Sequence, residues 1–293
     1  MTDTLGAALR AAVARLRRRL DADEAERDAR KLLAGATGWS GARVLAGLQD
    51  AFDPAAQARL DAMIAARETG RSVAHILGRQ EFYGRSFVVR PGDLVPRPDT
   101  ETLVELALSA PFDAFLDLGT GTGVIAVTLL AERLDARGLG TDIDADAYAA
   151  AAENAKAHGV ADRLTLQSAD WFDGVSGSFD LILSNPPYLS ADEFARAPPE
   201  IGQGERRAAL TPGGDGLDAY RAIAAGALRH LRPGGRLLVE IGHRQGTAVA
   251  GLFAGAGLDA IDVHPDINGK DRVVAAQAPT RGQMGQIPTD FTF

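Results

Sequence analysis

Residues 184–188 include side chains that can orient a reacting group. They spell Ser-Asn-Pro-Pro-Tyr and end the apolar run at residues 179–183. Because adjacent prolines cannot continue a strand ladder, the segment predicts a rigid loop at a strand end. The Asn185 side-chain oxygen and the Pro186 carbonyl can each accept an N–H from a planar –NH₂ group, on which Tyr188 can stack. The pattern predicts a site that orients a nitrogen for in-line displacement, with catalytic and substrate-binding positions at Asn185, Pro186, Pro187 and Tyr188.

A glycine-rich loop follows a second apolar run and precedes an apolar helical stretch. It spells Asp-Leu-Gly-Thr-Gly-Thr-Gly over residues 117–123. Glycines permit a sharp turn and a close backbone approach, and free N–H groups at a helix start hold a carboxylate or a phosphate. The spacing differs from the dinucleotide fingerprint G-x-G-x-x-G, and an ordinary tight turn is the alternative interpretation. The candidate cofactor-binding residues here are Asp117, Gly119, Thr120, Gly121, Thr122 and Gly123.

Further polar residues follow the next two predicted strands. The Asp142 carboxylate, nineteen residues after the glycine loop, can accept hydrogen bonds from both hydroxyls of a ribose, and Asp144 is the competing candidate. After the third strand, Asp170 can accept from the exocyclic amine of an adenine while Trp171 packs on the ring. With the glycine loop, these residues predict a pocket for an adenosine that carries an amino-acid tail. That ligand is S-adenosylmethionine, whose sulfonium methyl the oriented nitrogen would receive.

The elements that must position these residues alternate between strand and helix from residue 112 onward. Strands are predicted at residues 114–118, 137–144, 163–170, 179–187, 236–242 and 271–276, with helices between them. Such alternation is typical of a mostly parallel sheet with helices on both faces, a Rossmann-like α/β fold.

The first quarter of the chain has a different pattern. Leucine and valine recur there in steps of three and four residues, at Leu5, Leu9, Val13, Leu16 and Leu20. Such spacing predicts a small helical bundle over residues 1–77, in which Asp21 or Asp23 can cap the second helix and Asp53-Pro54 begins another. Residues 78–92 alternate apolar and polar residues and predict a β-hairpin linker. We assign residues 93–278 to the catalytic domain and residues 279–293 to a flexible tail.

Composition and charge restrict the class of protein. The chain has 293 residues, no cysteine and a net charge of −8, which excludes disulfides and thiol chemistry. Residues 1–90 hold 15 basic and 11 acidic residues, a net +4, whereas the remainder holds 16 and 28, a net −12. An acidic catalytic half argues against stable binding of nucleic acid. The basic cluster Arg15, Arg17, Arg18 and Arg19 is either a solvated helix face or a docking surface for an acidic partner.

The sequence also predicts where the protein works. No segment approaches the length of a membrane span, and the N-terminus lacks the apolar core of a secretory signal. A transit peptide is the alternative for the arginine-rich start. We therefore expect a soluble, cytoplasmic protein without membrane association. The five histidines show no ligand spacing, so we predict no metal site.

Together, these motifs resemble the peptide-chain release factor N5-glutamine methyltransferases, the PrmC/HemK family of class I methyltransferases. The resemblance rests on Phe82-Tyr83-Gly84, on residues 94–101 (Leu-Val-Pro-Arg-Pro-Asp-Thr-Glu), on the glycine loop, on Asp170-Trp171-Phe172 and on the Asn-Pro-Pro-Tyr segment. It implies methylation of the glutamine amide in the Gly-Gly-Gln motif of class 1 release factors, with the helical domain helping to dock the release factor. It also implies that Asn185 binds the cofactor as well as the substrate. Arg97 and Glu101, with Pro96 and Pro98, would line the substrate site. Their alternative role is to brace the linker against the sheet.

One segment departs from the family pattern. The family usually has a Glu-Pro pair before an Ala-Leu, whereas this chain has Glu205-Arg206-Arg207. The missing proline leaves the shape of this loop open. A ribosomal-protein glutamine methyltransferase, a nucleic-acid N6-adenine methyltransferase and a non-catalytic adenosine-binding protein are the alternative functions.

Overall fold

The structure, a computed structural model, describes residues 4–197 and 204–280. The chain divides into two compact units, one that runs through Arg79 and takes in Gly204, and one that covers Gln80–Ala197 and continues from Glu205. Of the predicted tail, residues 279–293, only the first two lie within the described part. No helix among the described residues is long and apolar enough to cross a membrane.

Five helices build the first unit. They are α1 Leu5–Leu16, α2 Ala22–Thr37, α3 Gly41–Ala46, α4 Pro54–Glu68 and α5 Val73–Leu77. The predicted apolar face of α1 packs inward, because Leu5, Leu9 and Leu16 are buried in the core of this unit. Val13 and Leu20 pack against the same core and are partly buried. The predicted helical bundle is therefore confirmed.

Side-chain caps explain where two of these helices begin. The Asp21 carboxylate accepts the backbone N–H of Glu24 at 2.8 Å, so Asp21 is the cap of α2. Asp53 accepts the N–H of Ala56 at 2.9 Å, and Pro54 occupies the first turn of α4. These side chains satisfy N–H groups that have no partner within the helix, and proline costs no hydrogen bond at that position.

The predicted basic cluster does not present four equivalent arginines. The Arg15 guanidinium pairs with Glu68 at 2.7 Å and with Asp61 at 3.2 Å, so it links α1 to α4. The remaining arginines, Arg17, Arg18 and Arg19, are exposed. Arg15 therefore has a structural role within the bundle, and a docking surface would consist of its three neighbours.

A two-stranded hairpin, β1 Arg79–Phe82 and β2 Arg85–Val88, follows the bundle as predicted. Within the second unit, the Asn154 amide accepts the N–H of Val88 at 2.8 Å and donates to its carbonyl at 3.2 Å. Asn154 thus holds β2 in the way that a neighbouring strand would.

A seven-stranded sheet forms the centre of the second unit. Its strands are β3 Ala114–Leu118, β4 Arg137–Asp142, β5 Leu164–Ser168, β6 Phe179–Ser184, β7 Leu231–Glu240, β8 Asp259–Pro265 and β9 Asp271–Gln277. The order across the sheet is β5-β4-β3-β6-β7-β9-β8. Pairing is parallel from β5 to β7 and antiparallel from β7 through β9 to β8. The sequence pattern missed β8, which is an edge strand.

Helices cover both faces of this sheet, as the predicted Rossmann-like fold requires. The helical segments of this unit are a 3₁₀ turn Pro98–Thr100, α6 Glu101–Leu108, α7 Val124–Glu132, α8 Ala145–Ala157, α9 Ala191–Arg196, α10 Arg207–Leu210, α11 Asp218–His230 and α12 Gly246–Gly255. Neighbouring residues of β3 face opposite sides: Phe115 packs with α6 and α7, and Leu116 packs with α11 and α12. Two apolar cores, one on each face, therefore pack against the sheet and hold the ends of its parallel strands in place.

Candidate functional site

The carboxyl ends of four parallel strands lie side by side at one edge of the sheet. Leu118 of β3 pairs with Thr141 of β4 and with Ser184 of β6, and Asp142 of β4 pairs with Ser168 of β5. The chain passes from β3 to β4 on one side, while β6 lies on the other side of β3. Open α/β sheets bind ligands at such a switch point, and a cavity opens at this edge.

The glycine loop turns tightly between β3 and α7 and forms one wall of the cavity. Gly119, Gly121 and Gly123 have φ values of 67°, 56° and 78°, a left-handed conformation that other residues rarely adopt. A Cβ on Gly123 would also lie 3.0 Å from the Cβ of Ala151 in α8. The predicted glycines therefore meet a backbone requirement, and Gly119, Gly121 and Thr122 line the cavity.

Two carboxylates, the half-buried Asp142 and the buried Asp117, hold this loop in place. Asp142 Oδ2 accepts the N–H of Gly121 at 2.8 Å, and its Oδ1 accepts the N–H of Asp144 at 2.9 Å. Asp117 is fully buried, and its Oδ2 accepts the Thr120 hydroxyl at 2.7 Å. Burial raises the pKa of Asp117 to about 7 against the effect of that hydrogen bond, and it also raises the pKa of Asp142.

Only one of these two carboxylates reaches the cavity. Asp142 lines it, whereas Asp117 and Thr120 lie behind the loop. A carboxylate offers about four acceptor positions, so Asp142 retains capacity for a ligand after its two backbone hydrogen bonds. Asp144 also lines the cavity, but its Oδ1 caps α8 by accepting the N–H of Asp146 at 2.9 Å.

Asp170 and Trp171 form a further part of the cavity wall. Asp170 is exposed, and Trp171 is partly buried against the core beneath α11. Trp171 has a φ of 51°, which is strained for a residue with a side chain. Both line the cavity beside Asp142, so the structure brings together the carboxylates and the aromatic ring that the sequence pattern predicts.

The Asn-Pro-Pro-Tyr segment follows β6 and borders the same cavity. Asn185 and Pro187 line it, whereas Pro186 is buried. Tyr188 lies at a second, smaller cavity together with Gln245, whose Nε2 donates to the Tyr188 carbonyl at 2.8 Å. Burial raises the pKa of Tyr188 to about 12, so its phenol stays neutral and can act only as a hydrogen-bonding and stacking group.

Arg97 and Glu101 have structural partners at the margin of the site. Two hydrogen bonds of 3.1 Å join the Arg97 guanidinium to the Glu205 carboxylate. Glu101 Oε1 accepts the N–H of Tyr83 at 2.8 Å and so attaches the hairpin to α6. Neither lines the cavity, and both contacts match the bracing role that the sequence left open.

Arg206, which stands where the family pattern has proline, links three carboxylates at the cavity mouth. Its guanidinium contacts Asp93 at 2.9 Å, Asp144 at 2.8 Å and Asp146 at 3.2 Å. Its backbone N–H also donates to the carbonyl of Gly92 at 2.8 Å. The loop therefore keeps its place through these ion pairs, without the rigidity of a proline.

We expect Arg206→Ala to lower the free energy of unfolding by about 1–2 kcal/mol, because the buried Asp93 carboxylate loses its ion pair. Urea unfolding measures this change. Arg207→Ala is the matched control. Arg207 is the next residue in the chain, and its guanidinium is exposed and stacks on Phe194 at 5.2 Å. Equal free energies of unfolding in the two variants would contradict a stabilising role for the Arg206 ion pairs.

Sequence patterns did not identify all residues around the cavity. Arg206, Ile143 and Ala147 line it. Three residues after the hairpin, Gly92, Asp93 and Leu94, also line it, as do Ala208 and Ala209 on α10. Of these residues, the sequence singled out only Arg206, as the residue that replaces the family's proline. Among the described residues, no group of His, Cys, Asp and Glu is arranged to hold a metal ion.

The sheet order and the cavity at its switch point define a class I methyltransferase fold. The solved structure of a methyltransferase from Pyrococcus furiosus superposes with a TM-score of 0.52, covering 75% of this chain and 98% of that chain at 17% identity. Two family models match, the PrmC N-terminal domain over residues 7–78 and the methyltransferase small domain over residues 98–215.

Two curated relatives identify the family within that class. Both are named release factor glutamine methyltransferase. The protein of Cereibacter sphaeroides is 57% identical over 93% of this chain and 98% of its own length. That of Nitratidesulfovibrio vulgaris is 45% identical over 73% of this chain and 75% of its own length. The chain belongs to the release factor glutamine methyltransferase family.

Proposed function

We propose that this protein transfers a methyl group from S-adenosylmethionine to the side-chain amide nitrogen of a glutamine, the one in the Gly-Gly-Gln motif of class 1 release factors. The observation that carries the proposal is that one cavity is lined both by the Gly121–Asp142 pair and by Asn185 of the Asn-Pro-Pro-Tyr segment. Membership of the family supplies the protein substrate.

The residues around the cavity fit the cofactor. The backbone N–H groups of the glycine loop, at the start of α7, suit the carboxylate of its amino-acid tail. Asp142 retains acceptor positions for the ribose hydroxyls, and Asp170 can accept from the adenine amine while Trp171 packs on the ring. When bound, S-adenosylmethionine supplies a methyl group on a positively charged sulfur. Asp117 contributes indirectly, because it holds Thr120 within the loop.

The chemistry of this chain consists mainly of positioning. An amide nitrogen is a weak nucleophile because its lone pair is delocalised. The Asn185 side-chain oxygen and the Pro186 carbonyl accept its two N–H groups, which turns the lone pair toward the methyl group. Tyr188 lies at the neighbouring cavity and is neutral at any physiological pH, so it can contribute only stacking or hydrogen bonding. No general base is required before transfer, because the methylated nitrogen loses its proton readily.

The substrate and the location follow from the same proposal. We assign residues 1–77 to docking of the release factor, with the exposed Arg17, Arg18 and Arg19 as candidate contacts. Arg97 and Glu101 support the site from its margin through Glu205 and Tyr83. Release factors act at the ribosome, so we place the reaction in the cytoplasm. Stable binding of nucleic acid is not part of the proposed activity.

A transfer assay tests this function against its alternatives. The protein is incubated with methyl-labelled S-adenosylmethionine and with a purified class 1 release factor, ribosomal protein or adenine-containing DNA. We expect label on the release factor alone, and none when the glutamine of its Gly-Gly-Gln motif is replaced by alanine. Label on the ribosomal protein or the DNA, with none on the release factor, would overturn the proposal in favour of that substrate.

A further inference from the structure

The orientation of the Asn185 amide determines whether the proposed mechanism is possible. An asparagine amide has an accepting oxygen on one side and a donating NH₂ on the other, and only the oxygen can accept an N–H from a substrate amide. In the structure, Asn185 Nδ2 donates to the Thr100 hydroxyl oxygen at 3.2 Å. This leaves Oδ1 as the remaining polar group of Asn185 beside the cavity.

Thr100 lies between Asn185 and a buried carboxylate. Its side chain is buried at 1% exposure, and its hydroxyl lies near Glu240, the last residue of β7, where it lowers the pKa of that carboxyl against the effect of burial. Glu240 is equally buried, and its Oε2 finds no donor among the described residues. The three side chains therefore form a row from the core of the sheet to the cavity.

The single proton of the Thr100 hydroxyl gives this row a direction. An ionised carboxylate only accepts, so the hydroxyl must donate its proton to Glu240. Its oxygen can then only accept from Asn185, and the Asn185 side chain must therefore turn its NH₂ toward Thr100. The reverse amide orientation would place Oδ1 against the oxygen of Thr100 with no proton between them.

We propose that Thr100, held by Glu240, is a positioning residue that keeps the Asn185 amide oxygen directed at the substrate nitrogen. The inference rests on the function proposed above and adds two residues to it. Thr100 and Glu240 touch neither substrate nor cofactor, and they act only through Asn185. Without the hydroxyl, the amide can rotate and present its NH₂ to the substrate, where two donors would face each other.

Substitutions at Thr100 test this role. Thr100→Val removes the hydroxyl at nearly constant shape, and we expect kcat for methyl transfer to fall about tenfold, the value of one lost hydrogen bond. The Kd for S-adenosylhomocysteine should remain unchanged. Thr100→Ser keeps the hydroxyl and should restore kcat to within about twofold of the original protein. Assays are run at pH 8, above the pKa of about 7 to which burial raises Glu240.

A double-mutant cycle separates positioning from general structural damage. If Thr100 acts through Asn185, Thr100→Val has no further effect once Asn185 is alanine. Any of three results would overturn the inference. They are the same tenfold loss of kcat in the Asn185→Ala background, full activity of Thr100→Val, and failure of Thr100→Ser to restore kcat. Glu240→Gln provides a second variant, because the glutamine amide can either accept a hydrogen bond from Thr100 or donate one to it. We expect its kcat to fall less than that of Thr100→Val.

A measurement without substrate keeps the inference separate from the proposed function. The side-chain amide resonances of Asn185 are assigned by their loss in Asn185→Ala in protein labelled at asparagine nitrogen. We expect one side-chain amide proton of Asn185 to be hydrogen-bonded in the original protein and in Thr100→Ser. In Thr100→Val we expect that hydrogen bond to be absent. Unchanged resonances in Thr100→Val would overturn the inference, whether or not a release factor is methylated.

Discussion

We expect Asn185→Ala to lower kcat for methylation of a release factor about a thousandfold, because one preorganised group at a reacting centre contributes about 10²–10³ in rate. The side-chain oxygen of Asn185 is the acceptor that the substrate NH₂ loses in this variant. The Pro186 carbonyl remains, but one hydrogen bond leaves the planar amide free to rotate away from the methyl group.

Binding of the cofactor should survive this change. In the proposed site the glycine loop and Asp142 hold the cofactor, and Asn185 contacts Thr100 rather than either of them. We therefore expect the Kd for S-adenosylmethionine to change less than about threefold. Single-turnover transfer of labelled methyl measures the rate, and calorimetry measures the Kd.

Asn268→Ala is the matched control for this experiment. Asn268 lies exposed in the turn between β8 and β9, where its loss removes the same amide without reaching the cavity. Its activity should equal that of the original protein. Full activity of Asn185→Ala would exclude the proposed mechanism, and a large loss of cofactor affinity would assign Asn185 to cofactor binding instead.

The parts of the site that the sequence predicted are contiguous motifs at strand ends. The glycine loop and residues 185–188 could be found because backbone rules, a sharp turn after β3 and a rigid stop after β6, require those residue types. The parallel sheet then brings the ends together without further information. Asp142 and Trp171 followed from the same rule, applied to the next two strands.

Arg206 could not be found in this way. Its partners Asp93 and Asp144 lie 113 and 62 positions earlier in the chain, and only the folded chain brings them to one point. The row from Glu240 through Thr100 to Asn185 is equally non-local. Long-range ion pairs and hydrogen bonds of this kind leave no periodicity in the sequence.

The missed strand β8 has a different cause. An edge strand with one solvated face has few apolar residues, and β8 has a polar residue or proline at four of its seven positions. Its partner β9 is buried through Val273 and Val274 and was predicted. The alternation of predicted strands and helices therefore identified the parallel strands of the sheet. It did not identify the antiparallel edge strand β8.

The second large effect concerns Asp142. We expect Asp142→Ala to raise the Kd for S-adenosylmethionine at least about a hundredfold, because two hydrogen bonds from ribose hydroxyls to a charged acceptor are worth about 1.5–3 kcal/mol each in favourable geometry. The variant also releases the N–H of Gly121, so the glycine loop loses one of its attachments. Titration calorimetry measures the change.

Asp144→Ala decides between the two candidate ribose ligands. Asp144 lines the same cavity, but its carboxylate is already bound to the N–H of Asp146 and to Arg206. If Asp142 holds the ribose, Asp144→Ala raises the Kd no more than about fivefold, as expected for a residue that only supports the cavity wall. Unchanged affinity in Asp142→Ala together with a large loss in Asp144→Ala would move the ribose to Asp144.

Stability distinguishes a lost contact from a damaged fold. Burial raises the pKa of Asp142, which means that the charged carboxylate is held at a cost in the folded protein. Its removal relieves that cost while it breaks the hydrogen bonds to Gly121 and Asp144, so the two effects oppose each other. We therefore expect the urea midpoint of Asp142→Ala to stay close to that of the original protein. A hundredfold loss of affinity at unchanged stability then locates the effect in the cofactor site, in the ribose contacts together with the attachment of the glycine loop.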